Sequence, residues 1–267
     1  MNIVLRHDTI YRYREPIFSL ASELHLKPLN NARQILESFH IESEPSTLFY
    51  DYVDRFGNTV HHFTIPRYLQ AVTISAISHV TTTHNSFIYR RPDAFLGYES
   101  IRPTPRTTAD DEIKAWIKEF DQPHLDLLDR MTQLMSAIHN TFVYESGVTT
   151  VGDTAQDFMH NKRGVCQDFA HFLISVCRVL HIPALYVSGY LVPENMKPTA
   201  SHAWVVVYPG AADSRLWLGF DPASGIPTND RYVWLALGRD YDDVTPVRGV
   251  YWGTRDEELH VNIQIEQ

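Results

Sequence analysis

Apolar and polar positions change their period once along the chain. In the first ninety residues the period is two. Val4, Arg6 and Asp8 alternate with Leu5 and His7, and Ile10, Arg12 and Arg14 alternate with Tyr11 and Tyr13. Leu24-His25-Leu26 and Phe39-His40-Ile41 repeat the pattern. Arg55-Phe56-Gly57-Asn58-Thr59 reads as a turn between strands at 49–53 and 60–65, and a β-branched run fills 72–82. Alternating segments of this length, broken by turn residues, predict an antiparallel β-sandwich-like domain over 1–90. Residues 91–108 hold Pro92, Pro103 and Pro105 and no clear period, so they are expected to be a linker.

Beyond it the period becomes helical. Thr108-Ala109-Asp110-Asp111 resembles a capping box. Ile113, Trp116, Ile117 and Phe120 then fall on one helical face. Leu127, Leu128, Met131, Leu134, Met135, Ile138 and Phe142 predict a second helix, and 154–160 a short third. A fourth, from about 166 to 180, is apolar nearly all round, which marks a buried helix. Strands follow at 184–192, 203–208, 216–220 and 259–265. Helices followed by strands predict an α+β domain over 109–267.

Composition narrows the function classes. Of 267 residues, 44% are hydrophobic and 21% charged, enough to build cores without disulfides. The net charge of −9 argues against a nucleic-acid partner. The N-terminus lacks a basic stretch followed by a long apolar run, and no window reaches 18 apolar residues. Neither a signal peptide nor a membrane span is expected, and a cytoplasmic location is. Cys166 and Cys177, eleven residues apart on one helix, would sit about 16 Å from each other, too far to form a disulfide.

Cys166 carries the candidate chemistry. It lies in Gly164-Val165-Cys166-Gln167-Asp168, at the start of the buried helix. The partial positive charge and free N–H groups of a helix N-terminus favour thiolate, and the same N–H groups suit an oxyanion. His202 stands at the mouth of an apolar strand in Ser201-His202-Ala203-Trp204, and Asp221 ends the next strand in Gly219-Phe220-Asp221-Pro222. Neighbouring strands would bring these two side by side, giving nucleophile, base and orienter. The rival use of the same three residues is a zinc site, and a lone cysteine at a helix start favours the nucleophile.

The order Cys–His–Asp, the segment around Cys166, Ser-His-Ala-Trp and Phe-Asp-Pro-Ala-Ser-Gly resemble the bacterial transglutaminase-like superfamily of papain-like thiol enzymes. Residues 238–249 resemble the tail of that family, and the first 80 or so residues its β-rich N-terminal region. The resemblance implies a papain-like catalytic domain, a Cys166–His202–Asp221 triad and an acyl-enzyme formed from an amide. It extends to proteases, peptide amidases and cross-linking enzymes, so hydrolysis and amine transfer both stay open. Some cross-linking relatives need calcium; no calcium-loop spacing is present here, and no cofactor or metal is expected.

Other residues are weighed against this frame. Tyr144 and Gln156 are candidate second donors to the oxyanion. Gln167, Asp168 and Trp204 are candidates for the substrate groove, with Asp168 also suited to the helix dipole and Trp204 to packing beneath the His–Asp pair. His171 reads as a core histidine and Cys177 as an inert core thiol. His61, His62, His79 and His84 are not expected to bind metal, because adjacent strand residues point to opposite faces. The expected partner is a peptide or amide substrate, and the sequence leaves the oligomeric state open. A catalytically silent peptide-binding module on the same fold is the alternative function.

Overall fold

The computed structural model describes residues 1–83, 89–90, 96–193, 200–208, 216–253 and 256–267. The first strands are β1 (Asn2–Ile17), β2 (Ser19–Leu24), β3 (Gln34–Glu44), β4 (Tyr50–Val53), β5 (Thr59–Ile65), β6 (Leu69–Thr82) and β7 (Tyr89–Arg90). The helices are α1 (Leu96–Glu99), α2 (Asp111–Phe120), α3 (Leu127–Thr141), α4 (Ala155–Asn161) and α5 (Cys166–Val179). Two short strands lie between the helices, β8 (Val143–Tyr144) and β9 (Arg163–Gly164). The remaining strands are β10 (Ala184–Leu191), β11 (Ser201–Val207), β12 (Leu216–Asp221), β13 (Ile226–Pro227), β14 (Tyr232–Gly238), β15 (Val247–Trp252) and β16 (Glu257–Glu266). No described helix is long and apolar enough to cross a membrane.

The N-terminal part is a sandwich of two antiparallel sheets, ordered β16-β1-β6-β3 and β15-β2-β5-β4. The period of two is its cause: Ile3, Leu5, His7 and Thr9 turn inward on β1 while their neighbours stay more exposed. Ile17, Leu20, Leu24, Phe63, Val72 and Ile74 form the core between the sheets. The turn expected at 55–59 is present, with Gly57 at φ +86° and Asp54 accepting from the Phe56 and Asn58 N–H groups.

Each of these sheets takes its last strand from the far end of the chain. β15 pairs with β2, and β16 pairs with β1 from Val4↔Glu266 to Tyr13↔Glu257. The expected domain of 109–267 therefore ends early in space, because residues 247–266 build the sandwich. The strand expected at 259–265 exists but sits there, not with the later strands. The expected linker also changes. Residues 91–95 lie outside the described residues, but Ser100 and Thr107 are buried, and Ser100 accepts the Ala184 N–H at 3.1 Å. Arg178 donates to Thr107 Oγ1 from within α5.

The second part is an antiparallel sheet, β13-β12-β11-β10-β14, with α5 against one face. Phe169, Phe172, Leu173 and Val176 of α5 pack on Tyr186, Val205 and Phe220 of the sheet. The opposite face is covered by the N-terminal part: Leu29 and Phe56 join Val187, Trp204, Val206 and Trp234. Ile3, Leu5 and Val80 similarly meet Tyr190, Val192 and Val233. Burial on both faces explains why β10 and β14 are apolar at almost every position instead of alternating. β14 is not among the expected strands, and it was hidden by that uniform apolar run. The first long helix is also capped two residues later than the capping-box reading: Asp110, not Thr108, accepts the Ile113 N–H at 2.9 Å.

Candidate active site

Cys166 is the first residue of α5 and is half-buried. The helix starts there because Asp168 folds back to accept the Val165 N–H at 2.8 Å. The same Oδ2 takes the Thr149 hydroxyl at 2.8 Å, which holds the preceding loop over the helix end. Gly164 makes room for this arrangement: a Cβ there would lie 2.5 Å from Asp168 Oδ2. Burial raises the Asp168 carboxyl from its usual range, opposed by these two hydrogen bonds. At 1% exposure Asp168 cannot line a groove, and it serves the helix start instead.

His202 is the second residue of β11, and Asp221 the last of β12. Antiparallel pairing of Val205 with Phe220 brings the two strand ends together, and His202 Nε2 lies 2.7 Å from Asp221 Oδ2. The Cys166 thiol lies close enough to act on the same ring. Burial alone would disfavour the imidazolium. The interactions with Asp221 and Cys166 outweigh it and raise His202 to about 10. The three sequence candidates are therefore brought together, His202 bonded to Asp221 and close to Cys166.

Asp221 is fully buried, and its carboxylate is well supplied with donors. Oδ1 accepts the Ala223 and Ser224 N–H groups at 3.0 and 3.2 Å. Oδ2 accepts Tyr232 Oη at 2.8 Å besides His202. Burial pushes its pKa up, but the imidazole and these donors prevail and hold it below the usual carboxylate range. Tyr232 is the residue that the sequence reading missed. It lies inside an apolar run, where nothing distinguishes a tyrosine that bonds a carboxylate from one that packs.

Tyr144 is tied to the site through β8 and β9, whose parallel pairing sets Tyr144 opposite Gly164. Glu145 N–H donates to the Gly164 carbonyl at 2.9 Å and fixes that register. The Tyr144 hydroxyl lies near enough to Cys166 to feel its charge. Burial, and then the charge on Cys166, push its phenol up to about 12, so it stays protonated at neutral pH.

The remaining candidates are placed elsewhere. Gln156 donates its amide to the Thr108 carbonyl at 3.1 Å, which joins α4 to the segment before α2. Gln167 is buried and donates to the Val151 carbonyl at 3.2 Å, so it anchors the loop rather than lining a groove. Trp204 is also no groove residue. It is fully buried under His202, with ring centroids 6.0 Å apart, and packs on Gly189, where a Cβ would meet its ring at 2.5 Å. His171 is buried and neutral, drawn down to about 3 by burial, and accepts the Tyr241 N–H at 3.2 Å. Cys177 is fully buried and pushed up to about 12 by burial. His61 is buried and His62 exposed on β5, and His84 lies outside the described residues. Among the described residues, no group of three or more His, Cys, Asp or Glu is arranged to hold a metal ion.

Comparison with known proteins bears on the family and the fold. The family model of the transglutaminase-like superfamily matches residues 114–222, and that of the bacterial transglutaminase-like N-terminal region matches residues 3–81. An uncharacterized protein of Mycobacterium leprae (strain TN) is 30% identical over 97% of this chain and 96% of its own length. One from Mycobacterium bovis is 28% identical over 97% of this chain and 90% of its own. The crystal structure of a candidate cysteine protease from Cytophaga hutchinsonii superposes with a TM-score of 0.80, covering 100% of this chain and 90% of that one at 21% identity. At that identity the likeness speaks to the fold, which is shared from end to end. Matched along both its parts, this chain belongs to the transglutaminase-like superfamily.

Proposed function

We propose that the chain is a cysteine-dependent amide hydrolase or acyltransferase working through a thioester on Cys166. The observation that carries this reading is the His202 ring held between Asp221 Oδ2, at 2.7 Å, and the Cys166 thiol at the start of α5. In the proposed reaction the Cys166 thiolate adds to an amide carbonyl carbon. The carbonyl oxygen becomes an oxyanion on the Cys166 N–H. The Tyr144 hydroxyl, a neighbour of Cys166, donates to the new charge. The C–N bond then breaks while His202, as imidazolium, gives its proton to the leaving amine. Water or a second amine attacks the thioester, His202 takes its proton, and the thiolate leaves.

The test is direct trapping. The protein is incubated with peptides and other amides, quenched in acid and digested. Mass spectrometry then looks for an acyl adduct on the peptide containing Cys166. The expected result is an adduct at Cys166 that is absent in Cys166→Ala and scarce in His202→Ala. Turnover without any adduct dependence on Cys166 would overturn the reading.

A further inference from the structure

The N-terminal part does more than cover one face of the catalytic sheet. Side chains from it close the edge of β14. Gln34 Oε1 accepts the Trp234 N–H at 2.8 Å, and Gln34 Nε2 donates to the Trp234 carbonyl at 2.8 Å. Asn58 repeats the arrangement at Leu237, accepting its N–H at 2.8 Å and donating to its carbonyl at 2.7 Å. Two side-chain amides thus take the place of a neighbouring strand. Arg33 adds bonds to Thr228 Oγ1 at 3.0 Å and to the Asn229 carbonyl at 2.8 Å. The segment 228–237 is therefore pinned at both ends by residues from the other part of the chain.

Tyr232 lies within that segment. Its ring packs edge-on against Trp204, with centroids 5.2 Å apart, and Trp204 in turn lies under His202. A phenylalanine would fill the same space. The hydroxyl is the part that packing does not explain, and it is spent on Asp221 Oδ2, the oxygen that faces His202. A donor on that oxygen holds the carboxylate in one orientation. It also shares the negative charge that would otherwise act on the imidazolium alone.

We propose that Tyr232 is a positioning residue of this site, held in place by Arg33, Gln34 and Asn58, and that its hydroxyl aligns Asp221 and moderates the charge His202 feels. The inference rests on the thiolate–imidazolium reading above. Cys166 and Asp221 flank His202, Tyr144 reaches Cys166 from β8, and Arg231 acts on Tyr232.

The experiment is the rate of Cys166 carboxamidomethylation by iodoacetamide between pH 5 and 11, for the natural protein, Tyr232→Phe and Gln34→Ala. Circular dichroism checks that each variant is folded. The natural protein is expected to show two limbs, one as the ion pair forms and one as His202 loses its proton. In Tyr232→Phe the upper limb moves up by on the order of one pH unit, because Asp221 then acts on His202 undivided. Gln34→Ala moves it the same way by less. A two-limbed natural profile that Tyr232→Phe leaves in place overturns the proposal. A shift in Tyr232→Phe with none in folded Gln34→Ala overturns the part given to the N-terminal residues. A single-limbed natural profile refutes the ion-pair reading itself and takes the proposal with it.

Discussion

Cys166 and Cys177 ride the same helix but meet opposite environments. Cys166 opens α5 beside His202, whereas Cys177 is fully buried with its sulfur 4.0 Å from Met131 Sδ. Their chemistry should diverge accordingly. At pH 7.5, iodoacetamide is expected to label Cys166 more than about a hundredfold faster than Cys177, since the thiolate is the reactive form and burial pushes Cys177 up to about 12. His202→Ala should slow labelling of Cys166 and leave Cys177 as it was. Peptide-level mass spectrometry distinguishes the two thiols. Similar sluggish labelling of both would count against an activated Cys166.

The His202 imidazolium makes stability depend on pH in a definite direction. Its folded pKa of about 10 exceeds the ordinary histidine value near 6.5. The stabilisation it contributes is complete below about pH 6.5 and is lost as pH rises through about 10. The burial of His202 and Asp221 makes the effect as large as a few kcal/mol. Urea midpoints of the natural protein should fall between pH 7 and 10, and those of His202→Gln should fall less. Parallel declines would show that other groups carry the dependence.

Tyr144 and Gln156, both candidates for the same role on sequence grounds, should now separate. Tyr144→Phe removes the hydroxyl at Cys166 and is expected to slow thioester formation by about ten- to a hundredfold. Gln156→Ala loses a bond to the Thr108 carbonyl and should leave that rate within about twofold. Single-turnover acylation followed by acid quench gives both numbers. A slow Gln156→Ala with normal Tyr144→Phe would reverse the assignment.

How far the sequence speaks depends on the range of the interaction. The period of two in β1 and β6 is local, so the sandwich is legible. The meeting of Cys166, His202 and Asp221 is legible because a helix start and two adjacent strand ends fix their positions. Pairing partners are not local: nothing within 247–252 or 257–266 announces that these residues join β2 and β1. Burial is equally silent. Gln167, Asp168 and Trp204 sit beside reactive residues in sequence, but the turn of the helix and the pleat of the strand carry their side chains inward. Tyr232 was invisible for the same reason, since its hydroxyl matters through a residue eleven positions away.

Gly164 and Asp168 form a coupled pair at the start of α5. Gly164→Ala places a methyl group within 2.5 Å of Asp168 Oδ2 and should destabilise the protein by about 2 kcal/mol or more. Asp168→Ala removes the bonds to the Val165 N–H and the Thr149 hydroxyl, a loss of about 1–3 kcal/mol. The two changes share one cause, so the double variant should be less destabilised than the sum of the singles by at least about 1 kcal/mol. Thermal or urea unfolding of the four proteins measures this. Strict additivity would mean that the clash is with the Cβ of residue 168, 2.8 Å away and kept by alanine, and not with the carboxylate.

Asn58 offers a test of the contact between the two parts of the chain in which stability again falls as pH rises, but in a lower pH window. Its amide nitrogen donates both to the Leu237 carbonyl, at 2.7 Å, and to Asp54 Oδ2, at 2.8 Å, while its oxygen accepts the Leu237 N–H at 2.8 Å. Asn58→Asp keeps the shape and the acceptor but replaces the donor with an oxygen. Ionised, the new carboxyl would be buried, would repel Asp54 and would face a carbonyl oxygen. Each effect raises its folded pKa above the unfolded value near 4. A group raised in this way stabilises most below its unfolded pKa, so the variant's deficit should be small near pH 4. There the carboxyl carries a proton and can donate to the Leu237 carbonyl. The deficit should grow to about 3 kcal/mol or more by pH 7. Measuring unfolding of Asn58→Asp against the natural protein at both pH values, with Asn58→Ala as a control, tests this. Asn58→Ala should be destabilised by about the same amount at each pH, since it adds no titrating group. An Asn58→Asp deficit that does not change with pH would mean that the interface opens to water there instead of holding the amide dry.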